Sequence, residues 1–293
     1  MNDRRSPEVR TLRVPGARLH AEVRGSGPLL LMVPGGPQDA GVLADQARRL
    51  AEGYTTVAYD PRGNSRSTLD GGPGAWEEDQ RLDVHAEDAA RLIREFGDGP
   101  AHVFGTSGGA QIGLALAARH PELVRTLVAH EPPCVPLLDD PEPVLARDHE
   151  VHRTYLKEGV EAGMALFLGL NGLDAEPGPA GSEDTPPVDG APAMDGEEAA
   201  TFERVSGNFG YFLAHGLLPL SLYRPEVETL RRDGTRVVVA LGEGSAGEDI
   251  HDIGSALARA LDVDPVAFPG DHLGYEGDPE GFAAALRRVL TGT

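Results

Sequence analysis

Cysteine is almost absent from this chain of 293 residues, since Cys134 is the only one. An internal disulfide needs two cysteines, so none can form, and nothing in the composition points to an oxidising compartment. The sequence also has no apolar run approaching the about 18 residues of a membrane-spanning helix, and its start, MNDRRSPEVR, lacks the apolar segment of a secretion signal. We therefore expect a cytoplasmic protein with no membrane partner.

Basic residues are scarce as well. The chain has 26 Lys and Arg against 47 Asp and Glu, a net charge of -21. Nucleic acids and anionic membrane surfaces are bound by positive faces, so this balance argues against both as partners. Apolar residues at 40% and charged residues at 25% are ordinary for a soluble globular protein. We attribute the acidity to solubility; the partner we expect is a small-molecule substrate, and the oligomeric state stays open.

What is present is an alternation of short apolar runs with helical patterns. This alternation predicts an α/β fold, a mostly parallel sheet flanked by helices. The predicted strands cover residues 11–14, 18–24, 29–33, 55–59, 101–104, 126–130, 236–241 and 266–268. The predicted helices of this part cover residues 40–52, the stripe from Leu82 to Phe96, the segment after Ser107, 249–261 and 279–290.

The alternation breaks between residues 132 and 224. That region shows no clear strand pattern, only helical patterns over 144–167 and 197–217. Between them, residues 174–196 contain six acidic residues, five prolines, four glycines and no Lys or Arg, a composition that predicts a mobile loop. We therefore predict a core formed by residues 1–131 and 225–293, with an inserted helical cap at 132–224.

One serine stands where a predicted strand meets a predicted helix, in the segment FGTSGGAQ. The pattern Gly105-Thr106-Ser107-Gly108-Gly109 matches G-x-S-x-G, the nucleophile elbow, a bend so tight that the serine's neighbours must be small. Gly105, Gly108 and Gly109 meet that demand. The alternative reading is a glycine-rich turn with an idle serine, which the strand-to-helix setting makes the weaker one.

Three further segments occur in the order expected around such an elbow. They are LLLMVPGGP at residues 29–37, YDPRGNSRS at 59–67 and FPGDHLGY at 268–275. With the elbow, they make the chain resemble the α/β-hydrolase superfamily over nearly its whole length. Pro34 stands where that family often has histidine, and Ser65 replaces a glycine. We expect Asp60 and Arg62 to pair with each other and hold their loop.

The resemblance implies acyl transfer through a covalent intermediate. Ser107 would be the nucleophile and His272 the base that takes its proton. The backbone N–H groups of Gly36 and Gly108 would form the oxyanion hole. No cofactor is implied. His149 and His152 lie three residues apart, but without further ligands this spacing is a poor metal signal, so we predict no metal site.

The third member of the triad departs from the family pattern. After the strand at 236–241 the family usually presents an aspartate, and here Ser245 occupies that place in LGEGSAGED. Three carboxylates are candidates: Glu243 and Glu248 in that loop, and Glu131 at the end of the preceding core strand. Some members of the superfamily, including a branch of the haloalkane dehalogenases, take their acid from that strand end. We favour Glu131 and keep the other two as alternatives.

The predicted cap contains the apolar stretch NFGYFLAHGLLPL, residues 208–220. Its aromatic residues Phe209, Tyr211 and Phe212 are candidates to line a pocket over the serine. The chain then reads as a serine hydrolase, an esterase-type enzyme for a medium-sized, largely apolar ester, thioester, lactone or amide. Two alternatives stay open: a non-hydrolytic lyase, cyclase or acyltransferase step, and a ligand-binding protein with little turnover.

Overall fold

A sheet of nine strands runs through the centre of the computed structural model, which describes residues 6–71, 76–173 and 196–292. In that part of the chain the strands follow the order β1-β2-β4-β3-β6-β7-β8-β9, and β5 pairs with β2 outside that path. They are β1 (Glu8–Val14), β2 (Ala17–Gly25), β3 (Leu29–Val33), β4 (Thr55–Tyr59), β5 (Thr68–Leu69), β6 (Ala101–Thr106), β7 (Val124–His130), β8 (Arg236–Gly242) and β9 (Val266–Phe268).

The strands from β4 through β3, β6, β7 and β8 to β9 are parallel to their neighbours, whereas β1 and β2 are antiparallel. A parallel strand covered by helices on both faces must be apolar at every position. β3, with the sequence LLLMV, is buried at all five of its residues. The carboxyl ends of β3, β6, β7 and β8 therefore open on one edge of the sheet, where ligands bind in open α/β folds.

Helices cover both faces of the sheet. The described helices are α1 (Ala44–Leu50), α2 (Leu82–Phe96), α3 (Gly108–Arg119), α4 (Glu142–Glu158), α5 (Val160–Leu170), α6 (Gly196–Tyr211), α7 (Leu217–Ser221), α8 (Val227–Asp233), α9 (Asp249–Leu261), α10 (Gly274–Gly277) and α11 (Pro279–Thr291). Apolar residues of α2, α3 and α9 form the core on one face, and those of α1 and α11 form a second core on the other. None of the described helices is both long and apolar enough to span a bilayer.

The chain between β7 and β8 is helical in its described part. The sequence predicts one helical pattern over 144–167, but Gly159, at φ 93°, divides it into α4 and α5. The second predicted helix is α6, which continues through a π-helical turn at Phe212–Gly216 into α7. Of the predicted mobile loop, residues 174–195 lie outside the described residues and Gly196 begins α6. The division into core and cap remains a prediction.

The expected pairing of Asp60 with Arg62 is wrong. Asp60 instead accepts hydrogen bonds from Arg66 at 2.8 Å, and Arg62 binds Asp88 on α2 at 2.6 Å. The backbone turns between them, since Asn64 N–H donates to Pro61 O and Gly63 has φ 80°. This turn returns Arg66 to face Asp60 and directs Arg62 away, toward the helix.

A buried histidine of α2 makes stability sensitive to mild acid. Burial, with the charge of Arg62, lowers the pKa of His85 from 6.5 to about 3, and the side chain is 2% exposed. Because the unfolded chain binds the proton more readily, this group's contribution to stability is complete above pH 6.5 and is lost as the pH falls toward 3. We expect the urea midpoint to fall between pH 7.5 and 5.5, and to fall less in His85→Leu. Equal falls in both proteins would contradict the prediction.

Candidate active site

Ser107 lies at the junction of β6 and α3 with φ 53° and ψ -126°. Residues other than glycine rarely adopt this backbone conformation. The residues around it have no space for side chains. A Cβ built on Gly105 would lie 2.4 Å from Gly109 O, and one built on Gly109 would lie 2.2 Å from Val33 O. The Ser107 N–H donates to His130 O at 2.9 Å, and the serine is partly exposed. The local sequence thus forms a tight bend that presents the hydroxyl above the sheet.

The loop after β3 passes directly over this serine. A Cβ built on Gly35 would lie 2.7 Å from the Ser107 Cβ, and one built on Gly108 would lie 3.1 Å from Gly36 N. Gly35 O accepts a hydrogen bond from Gln38 N–H at 2.8 Å. In a trans peptide the N–H points opposite to the carbonyl, so the Gly36 N–H is directed away from that turn.

Gly36 and Gly108 each present a backbone N–H beside the serine. Gly108 is the first residue of α3, where an N–H has no acceptor within its own helix. Within the described residues, the Gly36 N–H has no acceptor either. Two adjacent donors at the positive end of a helix can bind a developing negative charge.

His272 contacts a carboxylate from a distant part of the chain. Its Nδ1 lies 2.8 Å from Glu131 Oε2, and the other oxygen, Oε1, accepts a hydrogen bond from Gly242 N–H at 2.8 Å. Glu131 is fully buried and has φ 44°, while its own N–H donates to Ala240 O at 3.0 Å. The backbone bend after β7 thus turns the carboxylate toward the loop that follows β9.

The carboxylate of Glu131 is held in its charged form. Burial raises its pKa, but the hydrogen bond with His272, the neighbouring imidazoles of His130 and His272, and the Gly242 N–H together lower the pKa to about 2. A carboxylate only accepts hydrogen bonds, so the neutral His272 ring carries its proton on Nδ1. Its Nε2 then has the free lone pair that a general base requires.

The other two candidate acids are not brought to His272. Glu243 and Glu248 are both exposed, and their described contacts do not include the histidine. The short 3₁₀ turn at Glu243–Ser245 directs Ser245 into the interior, where it is fully buried, and leaves Glu243 on the surface. Of the three candidate carboxylates, Glu131 is the one whose described contacts include His272.

Ser107 and His272 are linked through His130 instead of by a direct hydrogen bond in the described residues. The His130 carbonyl accepts the Ser107 N–H, and its ring lies 6.3 Å from the His272 ring at an angle of 21°. His130 Nδ1 also lies 3.0 Å from Thr106 Oγ1. In enzymes without substrate the bond between nucleophile and base is often long, and it shortens in the substrate complex.

Comparisons with known proteins identify the family of the chain. The family model for the α/β hydrolase fold matches residues 28–171. The uncharacterized hydrolase YraK of Bacillus subtilis is 33% identical over 285 residues, covering 96% of this chain and 95% of that protein. The chain belongs to the α/β-hydrolase superfamily. This relative and the next one are both named hydrolases, which supports hydrolase activity for this chain.

Two further relatives extend over almost the whole hydrolase chain. The 2-(acetamidomethylene)succinate hydrolase of Mesorhizobium japonicum is 29% identical over 284 residues, covering 93% of this chain and 91% of that enzyme. A hydrolase from Pseudomonas aeruginosa, known from its crystal structure, superposes with a TM-score of 0.70 at 20% identity, covering 98% of this chain and 99% of that one. The structural likeness shows the α/β-hydrolase fold.

Two residues within or beside the family motifs join the loops of the candidate site, and sequence reasoning missed both. Gln38 Oε1 accepts the Gly35 N–H at 3.1 Å, and its Nε2 donates to the Tyr275 hydroxyl at 2.8 Å. Tyr275 follows His272 by three residues and is buried. Both lie within or beside the segments that carry the resemblance, which was a signal that could have found them.

Of the predicted pocket residues, Phe212 lies against Gly36 in the loop after β3. A Cβ built on Gly36 would lie 3.3 Å from the Phe212 ring. The centroids of the Phe212 and Phe167 rings are 5.4 Å apart. Leu220, the last residue of the predicted apolar stretch 208–220, takes the corresponding place beside Gly108, since a Cβ built on Gly108 would lie 3.1 Å from its side chain. Phe209 is partly buried against the same apolar core.

The structure does not place Tyr211 with them. Its ring packs on Gly63 and lies 5.3 Å from the ring of Trp76. Adjacent helical residues point in different directions, so Phe212 and Tyr211 contact different loops. The assignment of Tyr211 to the pocket stays a prediction, and no described contact joins it to the serine.

Proposed function

We propose that this protein is a serine hydrolase that cleaves a medium-sized, largely apolar ester, thioester, lactone or amide through an acyl-enzyme. The observation that carries the proposal is the 2.8 Å hydrogen bond between His272 and the buried carboxylate of Glu131. It joins residues 141 positions apart, next to a serine held in a strained bend. Structural stability alone does not require this combination at one edge of the sheet.

The reaction would proceed in two halves. His272 Nε2 takes the Ser107 hydroxyl proton as the oxygen attacks the substrate carbonyl, and Glu131 stabilises the imidazolium without taking the proton. The carbonyl oxygen becomes an oxyanion between the N–H groups of Gly36 and Gly108. His272 then gives its proton to the leaving group. In the second half, water attacks the acyl-enzyme by the same route and frees the acid and Ser107.

The surroundings of the serine favour an uncharged acyl group. Phe212 and Leu220 lie against the two donor glycines. The arginines that reach the neighbouring loops are already paired with carboxylates, Arg204 with Asp39 at 2.6 Å and Arg66 with Asp60 at 2.8 Å. A substrate carboxylate would have to displace one of those partners, at a cost in free energy.

Labelling with a fluorophosphonate probe tests the proposal. We expect one probe molecule per folded chain, located on the Ser107 peptide by mass spectrometry, and no labelling after denaturation, because only the folded site activates the hydroxyl. A p-nitrophenyl ester with an uncharged acyl group should then be hydrolysed faster than the p-nitrophenyl monoester of succinate, whose acyl group carries a carboxylate. Absence of labelling would contradict the proposal and favour a ligand-binding protein.

A second measurement separates hydrolysis from chemistry without water. When the enzyme converts an ester in ¹⁸O-labelled water, the proposal requires that the acid product contain one labelled oxygen. A product without the label would instead favour a lyase, cyclase or acyltransferase reaction.

A further inference from the structure

Asn208 connects α6 to the two loops beside the serine. Its side chain is buried, and all of its described bonds are made to these loops. Asn208 Nδ2 donates to Pro37 O at 2.7 Å and to Ser65 Oγ at 2.9 Å, while Oδ1 accepts the Ser65 N–H at 2.7 Å. One amide therefore uses three hydrogen bonds to hold two segments that lie 143 and 171 residues away.

The bonded segment is the loop that carries the proposed oxyanion donor. Its carbonyls are each occupied: Gly35 O by Gln38 N–H, Gly36 O and Gln38 O by Asn64, and Pro37 O by Asn208. Gly36 has φ 37° and Ser65 has φ 47°, so both sides of this junction are held in left-handed conformations. Glycine adopts such a conformation freely, but at Ser65, which has a side chain, it persists only where surrounding contacts impose it.

A second bond from the same helix reaches this region. Arg204 Nε donates to Asp39 Oδ2 at 2.6 Å, and Asp39 Oδ1 accepts the Gly41 N–H at 2.8 Å. Arg204 and Asn208 are four residues apart and lie on one face of α6. That face is therefore bonded to Pro37 and Asp39, just after the proposed donor Gly36.

We propose that Asn208 is a positioning residue for the oxyanion hole, which sets the orientation of the Gly36 N–H through the Pro37 carbonyl. This inference rests on the proposed function. Asn208 does not touch the reacting atoms, and its effect is transmitted from the Pro37 carbonyl to the Gly36 N–H through the Gly36–Pro37 peptide that lies between them. Since oxyanion donors act only when they are already aligned with the developing charge, the loss of this support should weaken transition-state binding more than substrate binding.

The test uses Asn208→Asp, which has nearly the same shape. The carboxylate can still accept the Ser65 N–H, but it cannot donate to Pro37 O. Loss of a whole oxyanion donor costs about 100-fold to 1,000-fold in kcat. For a displaced donor we expect a fall in kcat of about 10-fold with KM nearly unchanged. Glu203→Gln, an exposed position on the same helix, is the matched control and should behave like the unaltered protein.

Inhibition by a trifluoromethyl ketone distinguishes a positioning role of Asn208 from a merely structural one, which would not change the inhibition constant. Its adduct with Ser107 carries an oxyanion, so its inhibition constant should rise in Asn208→Asp by the same factor as kcat/KM falls. The inhibition constant of the alcohol product, which makes no oxyanion, should not change. An unchanged ketone constant, or a rise in KM alone, would overturn the inference.

Folding is checked by circular dichroism and thermal melting. If Asn208→Asp does not fold, Asn208→Ser serves in its place, with the same expected ketone result. If neither variant folds, Asn208 is a folding residue and the inference is wrong. A failure of the proposed function is distinguishable, since the unaltered protein would then not react with the fluorophosphonate at all.

Discussion

Glu131→Gln is expected to lower kcat by about 10,000-fold while the protein stays folded. Glutamine keeps the size of the side chain, and its carbonyl oxygen can still accept the Gly242 N–H. The amide nitrogen then faces His272 Nδ1 and donates to it. This forces the imidazole proton onto Nε2, so His272 can no longer accept the proton of Ser107. The fall in rate arises from the wrong tautomer and not from lost packing.

Steady-state kinetics with a p-nitrophenyl ester measures this effect, and thermal melting checks the fold. Glu243→Gln and Glu248→Gln are the matched controls, because both carboxylates are exposed and each variant removes the same single charge. We expect both controls to retain nearly full activity. A large loss in either of them, with activity retained in Glu131→Gln, would show that the acid comes from the loop after β8.

Ser107→Ala is expected to have a larger effect, a fall in kcat of about 10⁶-fold, because no other hydroxyl is predicted to act at this site. Alanine retains the backbone strain at φ 53° and removes only the oxygen. The variant should therefore fold normally, lose fluorophosphonate labelling and still bind the alcohol product. Substantial turnover by Ser107→Ala would exclude the covalent route.

Ser107→Gly is a useful companion to the alanine variant. Glycine adopts positive φ without a Cβ clash, so it should raise the melting temperature relative to Ser107→Ala while remaining inactive. A stability gain without activity would indicate that the strain at this position is maintained for chemistry. Equal melting temperatures of the alanine and glycine variants would contradict the expectation of strain.

The fold could be predicted almost entirely from local patterns. Continuous apolar runs such as LLLMV require burial on two faces, and the stripe from Leu82 to Phe96 has helical spacing. Both signals depend on neighbouring residues, so no long-range information was needed. The short elements β5, α8 and α10 were missed, since two to seven residues are too few to show a period.

The nucleophile elbow could also be predicted from the sequence, for a steric reason. Atoms of Val33 and Gly109 come within 2.4 Å of where side chains at 105 and 109 would begin. A backbone approach this close requires glycine, and the glycines are visible in the printed chain. By contrast, the sequence predicted Tyr211 and Phe212 together as pocket residues. Helical geometry sends the two adjacent side chains in different directions, and which of them faces the serine depends on how this helical segment docks on the loops, which local spacing does not specify.

By itself, then, the amino-acid sequence determined the alternation of strands and helices, the bend at Ser107 and the histidine segment, because each is a short-range demand on residue size or polarity. It left three carboxylates as candidate partners of His272. Only the tertiary structure selected Glu131, because the side-by-side pairing of β7 and β8 and the positive φ at Glu131 bring its carboxylate to Gly242 and His272. Contacts between strand ends far apart in the chain depend on strand order, which no local pattern encodes.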